Sequence, residues 1–418
     1  MDIISSSTIG AVDDRFDLLT KQAIEDPHAF FARAAAQGPV VWSEAHKAWL
    51  INDYPHVVEA FRDTENLSSD RLTPLHERLT PERKAMLAGA FDILRGWMVF
   101  YDAPRHHALR NPVRRAFTPR MIQRLQPRIE ALVADLLDDL DDVPAFDFKE
   151  RFAFPLPAIV ISELLDIPAS DRDRFRDWSN DLSAIVFGAS NHPDQDRVAG
   201  QGAANFIDYF SWLVAERKAN PGEDLVSALV AAQATDSEES LSDLDILGAS
   251  TLLLFGGHET TTNFMTNAML HLLRLPEQAA LMRDRPEIVD TAIDELLRFE
   301  GPVKVMVRSA ATTHERGGQT IKAGQTVFMS VAGANRDSGV FSDPHRLDLL
   351  RDEAAHISFG QGPHHCLGSA LAKLEARIAL PAVLRRFPHL IEGEGPIEWE
   401  QQILVRAMKA LPVENRDR

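Results

Sequence analysis

The chain has one cysteine, Cys366, in 418 residues. An internal disulfide is therefore excluded, and nothing calls for an oxidising compartment. No stretch approaches the ~18 consecutive apolar residues needed to span a bilayer. The opening residues MDIISSSTIGAVDD have neither a basic start nor a long apolar centre, so neither a signal peptide nor an anchor is expected. Positive charge is scarce. The 44 Lys and Arg face 62 Asp and Glu, and a net charge of -18 argues against nucleic acid or an anionic membrane as the main partner. Internal repeats and low-complexity linkers are lacking as well. The remaining composition, 45 % hydrophobic and 25 % charged, is that of a soluble globular protein, with the cytoplasm as its expected location.

The lone cysteine sits in the run F-G-Q-G-P-H-H-C-L-G, residues 359–368. Such a cysteine serves as inert core packing, as a nucleophile or as a metal ligand. Gly360, Gly362 and Gly368 permit tight turns and close backbone approach, so the loop can lie flat against a planar group. The following S-A-L-A-K-L-E-A-R-I-A-L is rich in helix formers with helical apolar spacing. Cys366 is thus placed at a helix N-terminus, where the dipole and free N-H groups are expected to lower its pKa. A thiolate at the edge of a flat apolar platform suits an axial haem ligand. A cysteine hydrolase with His364 or His365 as base is the competing reading.

The rest of the chain reads as mainly helical with a minor β region, in one domain over residues 1–418. Helices are expected over 26–37, 54–62, 104–117, 119–140, 155–165, 171–187 and 199–218, with breaks at 188–193 and 235–240. Residues 241–273 form one apolar segment, about 50 Å of helix at roughly 1.5 Å per residue. Pro276 and Pro286 open two more helices. Strand patterns occur in a hairpin after Gly38-Pro39, in V-K-V-M-V-R-S-A, G-Q-T-I-K-A-G and T-V-F-M-S-V, and twice near the C-terminus. Residues 68–98, broken by Pro74, Pro81 and Gly96, read as mixed and partly mobile, suited to a lid.

The long segment carries L-L-L-F-G-G-H-E-T-T-T-N at its centre. Gly256 and Gly257 together cost a helix about 2 kcal/mol relative to alanine, which suggests that something approaches the backbone there. Glu259 and Thr260 follow in an apolar surround, and a proton relay would give them partners. A zinc site of the H-E-x-x-H type fails because its fifth position is Thr262. A merely kinked core helix would explain the glycines but not Glu259. Elsewhere, Glu295 and Arg298 are three apart, and His106 and Arg110 four apart, each pair on one helical face. Seven arginines, Arg105, Arg110, Arg114, Arg115, Arg120, Arg124 and Arg128, occur without an intervening acid.

The pattern F-G-x-G-x-H-x-C-x-G is matched by Phe359, Gly360, Gly362, His364, Cys366 and Gly368, and in this the chain resembles the cytochrome P450 family. The likeness extends from the His106 helix to the C-terminal strands. It implies the P450 fold, with haem b held by Cys366 as iron ligand. It further implies an oxygen pocket at Gly256, Gly257, Glu259 and Thr260, where Thr260 assists oxygen activation and Glu259 feeds protons from solvent. Glu295 and Arg298 would join an arginine of the irregular stretch, Arg346, to brace the cysteine loop. His106, Arg110, Arg308, His356 and His364 would serve the haem propionates, while His365 has no assigned role. Departures are small: Ala103 and Ser338 stand where proline is common, and Glu259 replaces the more usual aspartate.

The implied activity is monooxygenation of a hydrophobic small molecule with O2. The alternatives are peroxygenase, isomerase or dehydratase chemistry, and gas binding without turnover. No flavin or nicotinamide domain is evident, so electrons would come from a separate ferredoxin and its reductase. The 105–128 face would dock an acidic ferredoxin or flavodoxin, unless it is simply a solvated helix surface. Substrate walls are expected from 68–99, 179–192, the face with Leu253 and Gly257, and 303–306. Lys304 would meet a substrate carboxylate or lie solvated on its strand.

Overall fold

The computed structural model describes residues 16–187, 194–233, 241–353 and 355–416. The two breaks expected at 188–193 and 235–240 lie outside the described residues, as do the first fourteen.

The organising element is a helix over Asp243–Arg274, 32 residues long and buried along most of its length. Its start is set by a reciprocal cap. The Ser242 hydroxyl accepts from the Asp245 amide at 3.1 Å, and the Asp245 carboxylate accepts from the Ser242 amide at 2.9 Å. A helix apolar on all sides needs neighbours on all sides. Here Pro155–Leu164, Gln195–Ala219, Val289–Glu300 and Ser369–Arg386 pack against it. The cysteine-proximal helix Ser369–Arg386 is also backed by Pro119–Asp138.

The β structure lies to one side. A five-stranded sheet runs in the order Val40–Ser43, Ala48–Ile51, Thr326–Ser330, Val305–Ala310, Leu67–Ser68. All its pairings are antiparallel except that of Ala48–Ile51 with Thr326–Ser330. A second sheet joins Ala145–Asp147, Pro412–Asn415 and Leu390–Glu392, and a two-stranded ribbon pairs His314–Arg316 with Gln319–Ile321. The sheet covers its own small apolar core, with Val40, Ile51, Phe61, Val327 and Met329, while the helices share the main one.

Residues 68–98, read from the sequence as mixed, are largely helical. They form three short helices, Leu72–Arg78, Pro81–Met86 and Ala88–Leu94, and the last buries Ala90, Phe91, Ile93 and Leu94. Gly96 is more than a breaker: a Cβ there would lie 2.6 Å from Gly248 Cα of the long helix, so two glycines permit a backbone crossing. The adjacent Trp97 indole donates to Thr251 Oγ1 at 3.0 Å and pins that crossing. Among the described residues no helix is long and apolar enough to cross a membrane.

Candidate active site

A cavity of about 340 Å3 separates the long helix from the cysteine loop, a size typical of small-molecule sites. The loop is held by its own backbone. The Gly360 amide donates to Ile357 O, the His365 amide to Gly362 O and the Cys366 amide to Phe359 O, at 2.9, 3.1 and 2.9 Å. Gly362 has φ +69°, and a Cβ there would come within 2.8 Å of Phe61 O. Only glycine fits that turn.

The sulfur of Cys366 opens into the cavity. The backbone amides of Gly368 and Ser369, at the helix start, favour its thiolate form. The expected lowering of its pKa does not follow in the metal-free chain: burial pushes the thiol up and outweighs these amides and the Arg110 charge.

A cluster of cations and imidazoles borders the loop. Arg110 donates to the His365 carbonyl at 2.6 Å. The rings of His106 and His364 lie 4.0 Å apart, and Ser69 Oγ is 2.9 Å from His364 Nε2. Burial, then nearby arginines, lowers His364 to about 3 and His106 to about 4, so both are neutral at physiological pH. His106 Nε2 is buried without a hydrogen-bond partner. Arg308 lines the cavity and is lowered to about 10 by burial.

On the opposite wall, Gly256, Gly257, Thr260 and Thr261 line the cavity. A Cβ at Gly256 would meet no atom within 4 Å, whereas one at Gly257 would sit 3.1 Å from Ile161. Gly256 therefore keeps space free, and Gly257 lets a neighbouring helix approach. The Thr260 hydroxyl donates to Gly256 O at 2.8 Å, which leaves its lone pairs to accept from the cavity. Glu259 is not among the lining residues. It stands 3.5 Å from His258 Nε2, and although burial raises its pKa, His258 and Lys149 prevail and hold it below the ordinary value.

Three expected placements are corrected. Arg346 does not supply the third guanidinium of the buried network: its side chain is 64 % exposed and only its carbonyl participates. Arg351 takes that position, with Nε 3.1 Å from Glu295 Oε1. The cause is local, since the segment turns so that residue 351 points inward. His356 does not reach the cavity; its Nε2 lies 3.3 Å from Asp294 Oδ1. Lys304 is neither solvated nor at the cavity. It is buried, donates to Gln402 O at 2.6 Å, and is lowered to about 7 chiefly by burial.

The arginine face is smaller than its sequence suggests. Arg105 pairs with Asp245, Arg128 forks onto Glu163 with a shortest contact of 2.7 Å, and Arg110 serves the cavity. Arg114, Arg115, Arg120 and Arg124 remain exposed.

Two cavity groups went unnoticed in the sequence. Arg71 enters from the segment before Leu72–Arg78. Glu375 is 2 % exposed, its Oε2 has no partner, and burial alone pushes its pKa well above the carboxylate range. A signal for Glu375 existed, because it falls on the Leu371–Ala379 stripe, where the helical period demands an apolar residue. Arg71, on an irregular segment, left none.

These residues fit a haem. A thiol on a flat loop faces the cavity, an orphaned imidazole nitrogen and two arginines await carboxylates, and Gly256 and Gly368 leave open space where a Cβ would meet nothing within 4 Å. The arrangement defines a haem-thiolate protein.

Comparison with known proteins agrees. Residues 192–412 match the family model described as Cytochrome P450. The chain is 38 % identical over 374 residues to cytochrome P450 CYP107DY1 of Priestia megaterium, covering 88 % of this chain and 89 % of that protein. It is likewise 38 % identical over 396 residues to the P450 monooxygenase PikC of Streptomyces venezuelae, covering 93 % and 91 %. The structure of myxobacterial CYP267B1 in complex with myristic acid superposes with TM-score 0.85 at 33 % identity, covering 96 % of this chain and 99 % of that one. The chain belongs to the cytochrome P450 family. It is a P450 monooxygenase that binds haem b and uses O2.

Proposed function

We propose that this single-domain enzyme hydroxylates or otherwise oxygenates a hydrophobic small molecule, with Cys366 as iron ligand and with electrons from a separate ferredoxin or flavodoxin. The reading is carried by one observation: Cys366 and Thr260 line a single, mostly apolar cavity from its two walls. Haem, when bound, supplies oxygen activation and transfer. The chain's own groups do the rest. His106, Arg110, His364 and Arg308 would hold the haem propionates by charge-assisted hydrogen bonds. Thr260 accepts a hydrogen bond in the space that Gly256 keeps clear, and Glu259, ionised beside His258, passes protons inward. Glu295, Arg298 and Arg351 hold the loop, and the acidic composition with a single cysteine favours the cytoplasm.

Thr260→Ala tests the assignment. Oxygen consumption is expected to continue while product formed per O2 falls by about tenfold or more and peroxide accumulates. Unchanged coupling would remove Thr260 from the reaction.

The electron entry is supported by continuity. The helix Arg105–Ala116 carries exposed Arg114 and Arg115, and its Arg110 is bonded to the loop that bears Cys366. The double variant Arg114→Glu, Arg115→Glu is expected to slow reduction by an acidic ferredoxin about tenfold at low salt, with the deficit shrinking as ionic strength rises. Stopped-flow reduction of the ferric enzyme measures it, and an unaltered rate would place the dock elsewhere.

A further inference from the structure

Three guanidinium groups, those of Arg71, Arg110 and Arg308, line the cavity, and the one carboxyl among its lining residues is Glu375. Glu375 pairs with none of them: its Oε2 has no partner, and burial raises its pKa, which favours the neutral acid. The haem would bring two propionates, and its ferric core would offset the ligating thiolate. Within the cavity lining two anions would face three cations, and Asp102, behind that lining, acts on Arg308 and not on Arg71. Arg110 and Arg308 sit in the imidazole cluster at the cysteine loop and suffice for the propionates. Arg71 is left over.

Arg71 lies near enough to Arg308 to feel its charge, but its own contacts are outside that cluster. Its Nη2 donates to the carbonyl of Val186, at 3.1 Å, near the end of the helix Arg172–Phe187, and its guanidinium lies 4.9 Å from the centre of the Phe100 ring. These contacts fix the group within the wall formed by Trp97, Met98, Phe100, Val186 and Phe187. No carboxylate among the described residues pairs with it, and residues 188–193, which follow Val186 and Phe187, contain no acid. Burial, and then the charge of Arg308, lowers it to about 10, so it stays protonated at physiological pH. Arg71 is half-buried, and a partly desolvated cation without an anion carries a cost that an anionic ligand would offset.

We propose that Arg71 is a specificity-determining residue that binds the carboxylate of the substrate, and that the substrate is an apolar carboxylic acid. This rests on the monooxygenase reading and narrows it. The aromatic and aliphatic wall receives the body of the molecule, while the fork of Arg71, held by Val186 and Phe100, receives its head in planar, charge-assisted geometry. The fixed head restricts which carbon faces Thr260.

The test is binding to the ferric holoenzyme, followed by the haem absorption shift and by calorimetry. A panel of saturated, unsaturated and aryl-substituted apolar acids is titrated beside their methyl esters. At least one acid is expected to bind about tenfold or more tightly than its ester. Arg71→Gln should abolish that preference, whereas Arg71→Lys, which keeps the charge without the fork, should retain part of it. If no acid exceeds its ester, or if Arg71→Gln leaves the ratio intact, the proposal is overturned. The same carboxylate chemistry could come from a propionate. In that case Arg71→Gln would speed haem transfer to apomyoglobin and leave the acid-to-ester ratio unmoved, which also overturns it. Failure of the monooxygenase reading is distinguishable, because it would appear in the Thr260→Ala coupling ratio and not in the binding ratio.

Discussion

Cys366→Ser is expected to lower oxygenation by at least about a hundredfold, while the protein still folds and retains a haem-binding cavity. The sulfur is held by backbone groups and contributes little packing: it opens into the cavity, and the amides of Gly368 and Ser369 that favour its thiolate would equally serve a hydroxyl. What serine lacks is the soft, electron-rich thiolate. The reduced carbon monoxide adduct should accordingly lose the long-wavelength Soret band of thiolate ligation and show the shorter-wavelength band of a neutral ligand. Recovery of full turnover with that band shifted would remove Cys366 from the reaction. The raised pKa of the thiol in the metal-free chain adds a corollary: iron binding has to displace a proton, so haem uptake by the apoprotein should quicken as pH rises.

Arg298→Ala should be the most destabilising single change, costing about 3–5 kcal/mol, because it strips the more deeply buried of two guanidinium partners from a buried carboxylate and takes a donor from three carbonyls. Arg298 and Glu295 are each 2 % exposed in their side chains. Arg298 gives two bonds to Glu295, at 2.6 and 2.9 Å, and three more to the carbonyls of Asn335, Pro344 and Arg346, so its donors are fully used. Asn335 carries the effect onward. Its side chain accepts from the Ile357 amide and donates to Ser358 Oγ, both at 2.9 Å, immediately before Phe359. Loss of Arg298 is therefore expected to lower both the urea midpoint and the haem content of purified protein. Arg298→Lys should rescue little, since an ammonium cannot reach five acceptor atoms spread around a planar fork. A variant with normal midpoint and full haem would show that the network is dispensable.

The candidate site was partly legible before any coordinates. Gly362 and Cys366 are informative because each is constrained by its own loop, one by a turn that excludes a side chain and the other by the amides of the next helix. His106 and Arg110 were legible through their four-residue spacing on one helix. Arg346 was misplaced for the opposite reason. In an irregular segment no period says which side chain points inward, and the choice between residues 346 and 351 depends on where the chain turns after Pro344. His356, placed at the propionates only by the family likeness, instead faces Asp294, a contact set by where the helix Val289–Glu300 meets the loop and not by spacing in the sequence.

Local chemistry in the chain was enough to determine a mainly helical protein, a cysteine loop built to lie flat, and a long helix with an acid and an alcohol at its centre. Helical period, capping and turn residues act over a few positions and need no partner. The crossing of Gly96 over Gly248, the third arginine of the buried network, and the surplus cation at Arg71 were decided only by tertiary structure. Each depends on which distant segments meet, and burial gives a residue its partner, or withholds one, only once they have met.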